Sequence, residues 1–282
     1  MKKIFVSCIL ILCSLYTSCT GRINSQSLPN HSPDPSNTAN SDIQDYDTER
    51  FIRDYWHEHF DNASLPDYII ENIVRNLIKG PDFLMELLSI LDLDPFLYTL
   101  VDKQHALNEN YAPNDLVELS GSAYSVTRQG LMLRRNAAQA LETMAMAARA
   151  DGITLTAASA YRSYSYQTST YNHWVRELGQ EAADRVSARP GHSQHQLGLV
   201  LDFFPISEDF ARTPASRWLE QNAGRFGWSL SYPEGYEHIT TYQWESWHYR
   251  YVGTELTDFI NKYFNGIQQY ALQFINAYIS IE

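Results

Sequence analysis

The chain has 282 residues, 44% of them hydrophobic and 19% charged, which is enough apolar material for one generous domain or one domain with an appendage. Its formal net charge is -12; losing Lys2 and Lys3 with a processed leader leaves 19 basic residues against 33 acidic ones, a charge of -14. Such a surface repels phosphate backbones, so the charge argues against nucleic acid as a partner.

The chain opens with Lys2 and Lys3 and continues as the apolar run "IFVSCILILCSLY", the layout of a secretory signal and too short for a confident membrane span. The small residues of "TSCTGR" around Cys19 resemble the lipobox of bacterial lipoproteins, in which the cysteine becomes the acylated first residue; Tyr16 stands where leucine is usual. The expectation is a signal peptide over 1–19, lipidation at Cys19 and anchorage to a membrane of the bacterial envelope. The other cysteines are Cys8 and Cys13, so the body beyond the leader has no disulfide and no thiolate metal site.

Residues 20–47 are rich in Ser, Asn, Pro and Asp and read as a flexible tether. Over 48–99, apolar residues return at helical spacing, as Ile69, Ile73, Leu77 and then Phe83, Leu84, Leu87, Leu88, Leu91, which predicts two or three helices broken at Gly80-Pro81 and Pro95. His57 and His59 lie here, but a spacing of two puts them on different faces of a helix, which argues against a shared metal.

A long helix is predicted from about Leu131 to Ala150, with Leu133, Ala137, Leu141, Met144, Ala145 and Ala148 on one face and Asp151-Gly152 ending it. "ITLTAASAYRS" then reads as a strand running out at Arg162-Ser163, followed by a helix near Tyr166 to Leu178. "RPGHSQHQLGLVLDFFP", Arg189 to Pro205, holds a strand-like run, Leu197 to Phe204, interrupted by Asp202 and preceded by His192 and His195. Thr213-Pro214 is a cap and first-turn pair for a short helix ending at Gly227. "GWSLSYPEG" and "SWHYRYVG" read as aromatic strands, and 265–282 as a helical tail. The pattern is α+β: helices on a small, mainly antiparallel sheet with an N-terminal helical appendage.

His195 and Asp202 gain partners in "QWESWHYRY", where Glu245 and His248 are separated by two residues. Two imidazoles and a carboxylate are the ligand set that holds a catalytic zinc and leaves a fourth position for water. Zinc lowers the pKa of that water to about 7, within reach of a carboxylate base such as Glu245, and Trp244 and Trp247 could desolvate it. Arg162 is a candidate oxyanion donor. Taken singly, these residues also fit a strand-ending aspartate, loop histidines and an arginine paired on the surface.

The order of the blocks goes further. "LVDKQHALNENYAPNDLVEL", "RRNAAQALETM", "SAYRSYSYQ", "RPGHSQHQLGLVLDF", "FGWSLSYPEG" and "ESWHYRYVG" follow one another over about 100–264. In that order they resemble the VanY-like D-alanyl-D-alanine carboxypeptidases, bacterial zinc peptidases that share a fold with the D-Ala-D-Ala dipeptidases and the hedgehog signalling domain. The resemblance implies one zinc ion held by His195, Asp202 and His248, with Glu245 as general base and Arg162 polarising the scissile carbonyl. It places Gln167, Ser193, Tyr232 and Trp247 along the substrate cleft, and leaves His192 a loop residue; His173 and His238 read as surface or structural. Val200 and Ser246 depart from the alanine and proline that many relatives carry.

The implied activity is removal of the terminal D-alanine from peptidoglycan stem peptides by an exported enzyme. L,D-carboxypeptidase or endopeptidase action on the same peptides is the alternative with the same chemistry. A non-catalytic wall-binding module and a non-haem iron oxygenase are alternatives from other classes. Glu245 argues against the first, and the seven-residue spacing of His195 and Asp202 against the second.

Overall fold

The computed structural model describes residues 50, 52–54 and 64–281. The leader, Cys19, the tether and the His57/His59 pair lie outside them. The chain forms two compact units, residues 63–276 and residues 1–62 with 277–282. In the smaller, a short helical stretch pairs Arg50 with Asp54 at 3.9 Å. No helix among the described residues is long and apolar enough to cross a membrane.

The larger unit begins with helices α1 (Asp67–Lys79) and α2 (Asp82–Leu91), separated at Gly80-Pro81 as the sequence predicts, and a single turn at Pro95–Tyr98 with Asp94 as its N-cap. Both helices pack on a later helix, α7 (Thr254–Tyr263). Phe83 stands edge-on to Tyr263 at 4.8 Å and contacts Phe259 at 5.3 Å. Asn72 donates to the carbonyls of Lys262 and Tyr263 at 3.2 and 3.0 Å, satisfying acceptors that the end of α7 leaves free.

The centre is a five-stranded sheet in the order β2-β4-β5-β7-β6: β2 (Ser125–Val126), β4 (Thr156–Ser159), β5 (Val200–Phe203), β7 (His248–Tyr251) and β6 (Trp228–Leu230). Only β2 and β4 run parallel, so the sheet is mainly antiparallel. A separate ribbon pairs β1 (Leu116–Glu118) with β3 (Met132–Arg134). Here the sequence expectation needs correcting. The periodicity that predicts a helix from Leu131 holds only from Arg135; Met132 to Arg134 leave it to pair with β1, and the helix α3 is Arg135–Ala150. Ala137, Leu141, Met144, Ala145 and Ala148 form its buried face, and the three alanines help it lie close to the sheet residues Leu201, Phe203 and Trp228 of the same core.

Helices α4 (Tyr164–Leu178, capped by Ser163), α5 (Gln180–Val186), α6 (Pro214–Asn222, capped by Thr213) and α8 (Gln268–Ile281) complete the fold. Every residue of β5 is buried, as expected of a strand covered on both faces. In that strand Asp202 is the exception to apolar composition, and its register explains it: Asp202 lies opposite His248 on β7 and beside Ser159 on β4.

Arg250, two residues beyond His248 on the same face of β7, is fully buried and donates through Nη2 to the carbonyls of Phe96, Leu97 and Thr99 at 3.0, 3.1 and 2.9 Å. It ties the strand that carries His248 to the turn following α2.

Candidate metal centre and substrate cleft

His195 sits on a 3-10 turn, Gln194–Leu197, whose N-cap is Ser193. The turn ends at Gly198 with φ 69°, where an added Cβ would meet Leu116, Pro113 and Arg134 atoms at 3.0 to 3.1 Å; both the conformation and the crowding call for glycine. The chain then enters β5, so the turn and the strand hold His195 and Asp202 at a fixed separation. His248 opens β7 across from Asp202, and a one-turn bend, His248 N–H to Glu245 carbonyl at 3.1 Å, brings Glu245 alongside.

The three side chains converge. His195, Asp202 and His248 offer ligand atoms that all lie within 4.8 Å of one another, and all three are buried. The ring nitrogens facing the centre can be assigned from what holds the opposite ones. His195 Nδ1 is 2.6 Å from the Ala160 carbonyl, which can only accept, so Nδ1 carries the proton and Nε2 keeps its lone pair. His248 Nε2 is 3.3 Å from Gln194 Oε1, which turns Nδ1 inward. His195 Nε2 and His248 Nδ1 stand 3.1 and 3.0 Å from the two oxygens of Asp202. Yet His195 Nε2 and Asp202 Oδ1 lack hydrogen-bond alignment with any partner. Buried polar atoms close together and aimed past one another fit a metal ion, and the donor set of two imidazoles and one carboxylate fits zinc.

Electrostatics differ across the cluster. Burial, helped by the Arg162 charge, pushes His195 down to about 4, so it is neutral, as a ligand must be. Burial also works to lower His248, but Asp202 and Glu245 outweigh it and raise it to about 9. A metal ion arriving at Nδ1 displaces that proton. Burial opposes ionisation of Asp202, yet the two imidazoles hold its carboxyl well below the usual range.

Glu245 Oε2 lies 3.2 Å from His248 Nδ1 and keeps partial access to solvent. Arg162 approaches from the end of β4: its Nη1 donates to Gln167 Oε1 at 3.1 Å, its Nη2 is 3.9 Å from Asp202 Oδ2, and its backbone N–H donates to the His195 carbonyl at 3.3 Å. Gln167 is itself fixed, donating to the Ala188 carbonyl at 2.6 Å. A cleft of about 290 Å³ opens over these groups, and Gln167, Ser193, Tyr232 and Trp247 all line it together with His195, Asp202, Glu245, His248 and Arg162. Every metal, catalytic and substrate-cleft residue expected from the sequence thus faces one cavity. Of the two tryptophans expected around Glu245, Trp247 lines it and Trp244 does not.

Sequence reasoning missed Gln194, which orients His248, and Ser231, which donates to Gln194 Oε1 at 2.8 Å; neither has a spacing that betrays the contact. It also missed the apolar and aromatic wall of Trp174, Val186, Ile206 and Tyr242. His192 donates from Nδ1 to the Asp102 carbonyl at 2.7 Å and does not reach the cluster, in keeping with a loop role. Val200 packs fully buried, while the buried Ser246 hydroxyl has no hydrogen-bond partner.

A buried His-Asp-His cluster with a carboxylate beside it on the floor of a cleft defines a metal-dependent hydrolase. Residues 130–254 match the family model VanY, D-alanyl-D-alanine carboxypeptidase. Over 200 residues the chain is 37% identical to the protein YodJ of Bacillus subtilis (strain 168), covering 68% of this chain and 71% of that one. It is 30% identical to the bifunctional D-Ala-D-Ala dipeptidase and carboxypeptidase VanXYC of Enterococcus gallinarum, covering 55% of this chain and 82% of the relative. Among solved structures it is similar to the LD-carboxypeptidase LdcB (35% identity, TM-score 0.55, 61% of this chain and 86% of that one). It is also similar to a Zn(II) complex of the vancomycin-resistance D,D-pentapeptidase VanY (31%, TM-score 0.51, 61% and 96%). The chain belongs to the VanY family of D-alanyl-D-alanine carboxypeptidases.

Proposed function

We propose that this protein is a zinc-dependent D-Ala-D-Ala carboxypeptidase that removes the terminal D-alanine from peptidoglycan stem peptides. The observation that carries the reading is the convergence of His195 Nε2, His248 Nδ1 and the Asp202 carboxylate with Glu245 at 3.2 Å from the cluster. It is supported by the family and by the zinc complex of a relative with the same fold. His195, Asp202 and His248 would hold one zinc ion, which when bound supplies an acidified water and a Lewis acid for the scissile carbonyl.

Glu245 takes the proton from the attacking water and returns it to the nitrogen of the departing D-alanine as the amide bond breaks. Arg162 donates to the oxygen of the scissile carbonyl as negative charge develops there, and Gln167 holds the guanidinium in place for it. Ser193, Tyr232 and Trp247 bind the peptide along the cleft. Glu245 beside a complete ligand set is what a binding module has no need of, which is why the catalytic reading is preferred.

Incubation of the zinc-loaded protein with a pentapeptide ending in D-Ala-D-Ala, with mass detection, tests this: one D-alanine released per peptide supports it, and no release overturns it. A second reading, L,D-carboxypeptidase action, is favoured by the likeness to LdcB. The matching tetrapeptide substrate distinguishes it, because an L,D-enzyme releases D-alanine from the tetrapeptide and leaves the pentapeptide intact.

The family and its wall-directed substrates support an exported, envelope-associated location. The finer assignment is cleavage of residues 1–19, lipidation at Cys19, and a tether over 20–47 reaching about 30 Å as a coil. The domain plan places the zinc peptidase in 100–264, flanked by the helical segment 48–99 and the tail 265–282.

A further inference from the structure

Beside the catalytic cleft lies a second one of about 290 Å³, lined by Lys103, Asp184, Ser187, Arg189, His192 and Tyr242. Ser187 and Tyr242 line both, so the two clefts adjoin at these residues. In a chain this acidic, the second cleft carries a surplus cation. Asp184 is saturated: Arg189 reaches both of its oxygens at 2.8 Å and the Tyr171 hydroxyl donates to it at 2.7 Å. Arg185 is paired with Glu237 at 3.0 Å. Among the described residues Lys103 has no carboxylate partner. Its Nζ donates to the Thr241 carbonyl and sits 4.7 Å from the Tyr242 ring. One of its three donors is thus committed to a carbonyl, and two stay available for a ligand. Burial lowers its pKa, so its charge is only partly solvated; an anion entering the cleft restores what solvent does not provide.

Distance sets which group that anion belongs to. The His248 and Tyr232 rings are 4.6 Å apart, those of Tyr232 and Tyr242 5.0 Å, and Lys103 follows at 4.7 Å. An extended peptide advances about 3.3–3.6 Å per residue, so this path is covered by about four residues or fewer.

We propose that the second cleft is a subsite for a substrate carboxylate lying within about four residues on the N-terminal side of the scissile bond, and that Lys103 selects for it. The assignment deepens the carboxypeptidase reading and rests on it.

The test uses zinc-loaded full-length protein and three peptides: an uncharged acyl-D-Ala-D-Ala, a pentapeptide ending in D-Ala-D-Ala with a free carboxylate on its second residue, and the same pentapeptide with a carboxamide there. The wild type is expected to favour the carboxylate over the carboxamide by about tenfold in kcat/KM, the size of a charge-assisted hydrogen bond at a partly solvated site. The preference shrinks as ionic strength rises. Lys103→Met brings the ratio close to one, and Lys103→Arg retains it. A wild-type ratio near one, or a ratio kept by Lys103→Met, overturns the subsite. If that variant does not fold, a wild-type preference indifferent to salt overturns it instead. Cleavage of the uncharged peptide without any carboxylate preference defeats the subsite alone, whereas failure to cleave all three peptides defeats the carboxypeptidase reading and the subsite with it.

Discussion

At the scale of single residues, the cluster is organised by acceptors behind each imidazole. The Ala160 carbonyl keeps the proton on His195 Nδ1, and Gln194 Oε1, held by Ser231, keeps that of His248 on Nε2. Each ring therefore aims its other nitrogen at the same point. Glu245 stands outside this trio in the proposed scheme, so base and ligands separate experimentally. Glu245→Gln is expected to retain one zinc per chain by elemental analysis while hydrolysis falls by about 10²–10⁴-fold, the range for a lost general base. Loss of zinc in parallel would make Glu245 a ligand. In the same proposed scheme Arg162 acts on charge that exists only as the amide is attacked. Arg162→Lys is thus expected to lower kcat by about 10²–10³-fold with a much smaller change in KM, because a lysine cannot reproduce the fork anchored by Gln167. A variant changed only in KM would assign Arg162 to ground-state binding.

At the scale of elements, Arg250 couples the metal strand to the turn after α2. Its Nη2 serves three carbonyls of that turn, those of Phe96, Leu97 and Thr99. Arg250→Met fills comparable volume but leaves those carbonyls buried without it. The expected cost is about 3 kcal/mol, read as a lower urea midpoint with an unchanged slope. An unchanged midpoint would show that the carbonyls find other donors. The elements also show what the sequence displays and what it hides. The face of α3 was legible because Ala137, Leu141, Met144, Ala145 and Ala148 keep helical spacing against one core. Its first turn was not, since Leu133 fits a helix period and a strand alternation equally, and the partner that decides, Val117, lies far up the chain. His195, Asp202, His248, Glu245 and Arg162 were legible as blocks in family order. Gln194 and Ser231 were not, because their value lies in a contact between residues 37 apart that no local pattern encodes.

At the scale of the whole molecule, the proposed metal, the proposed anchor and the flanking helices each bear on stability or place. Zinc bound by the native cluster and not by the unfolded chain stabilises by mass action, about 2.7 kcal/mol at a hundredfold excess over Kd. Chelation is therefore expected to lower Tm by about 5–10 °C for a unit of this size, reversibly on adding zinc. Cys19→Ala is expected to abolish incorporation of a labelled fatty acid and release the protein from the membrane fraction, and label retained by that variant would refute lipidation at Cys19.

The segment before residue 100 invites a separate test. Phe83 and Leu87 of α2, with Ile69 and Ile73 of α1, are buried, and Phe83 meets Phe259 and Tyr263 of α7 directly. Each such side chain contributes about 1.5–3 kcal/mol by burial. Deleting residues 1–99 takes these away and leaves the aromatic face of α7 open to water, although every expected metal ligand and the base are retained. A chain starting at Leu100 is accordingly expected to be insoluble or to melt well below one starting at Ser64, which keeps both helices. If the shorter chain stays soluble with the same Tm, α1 and α2 are spacers and contribute nothing to the peptidase fold.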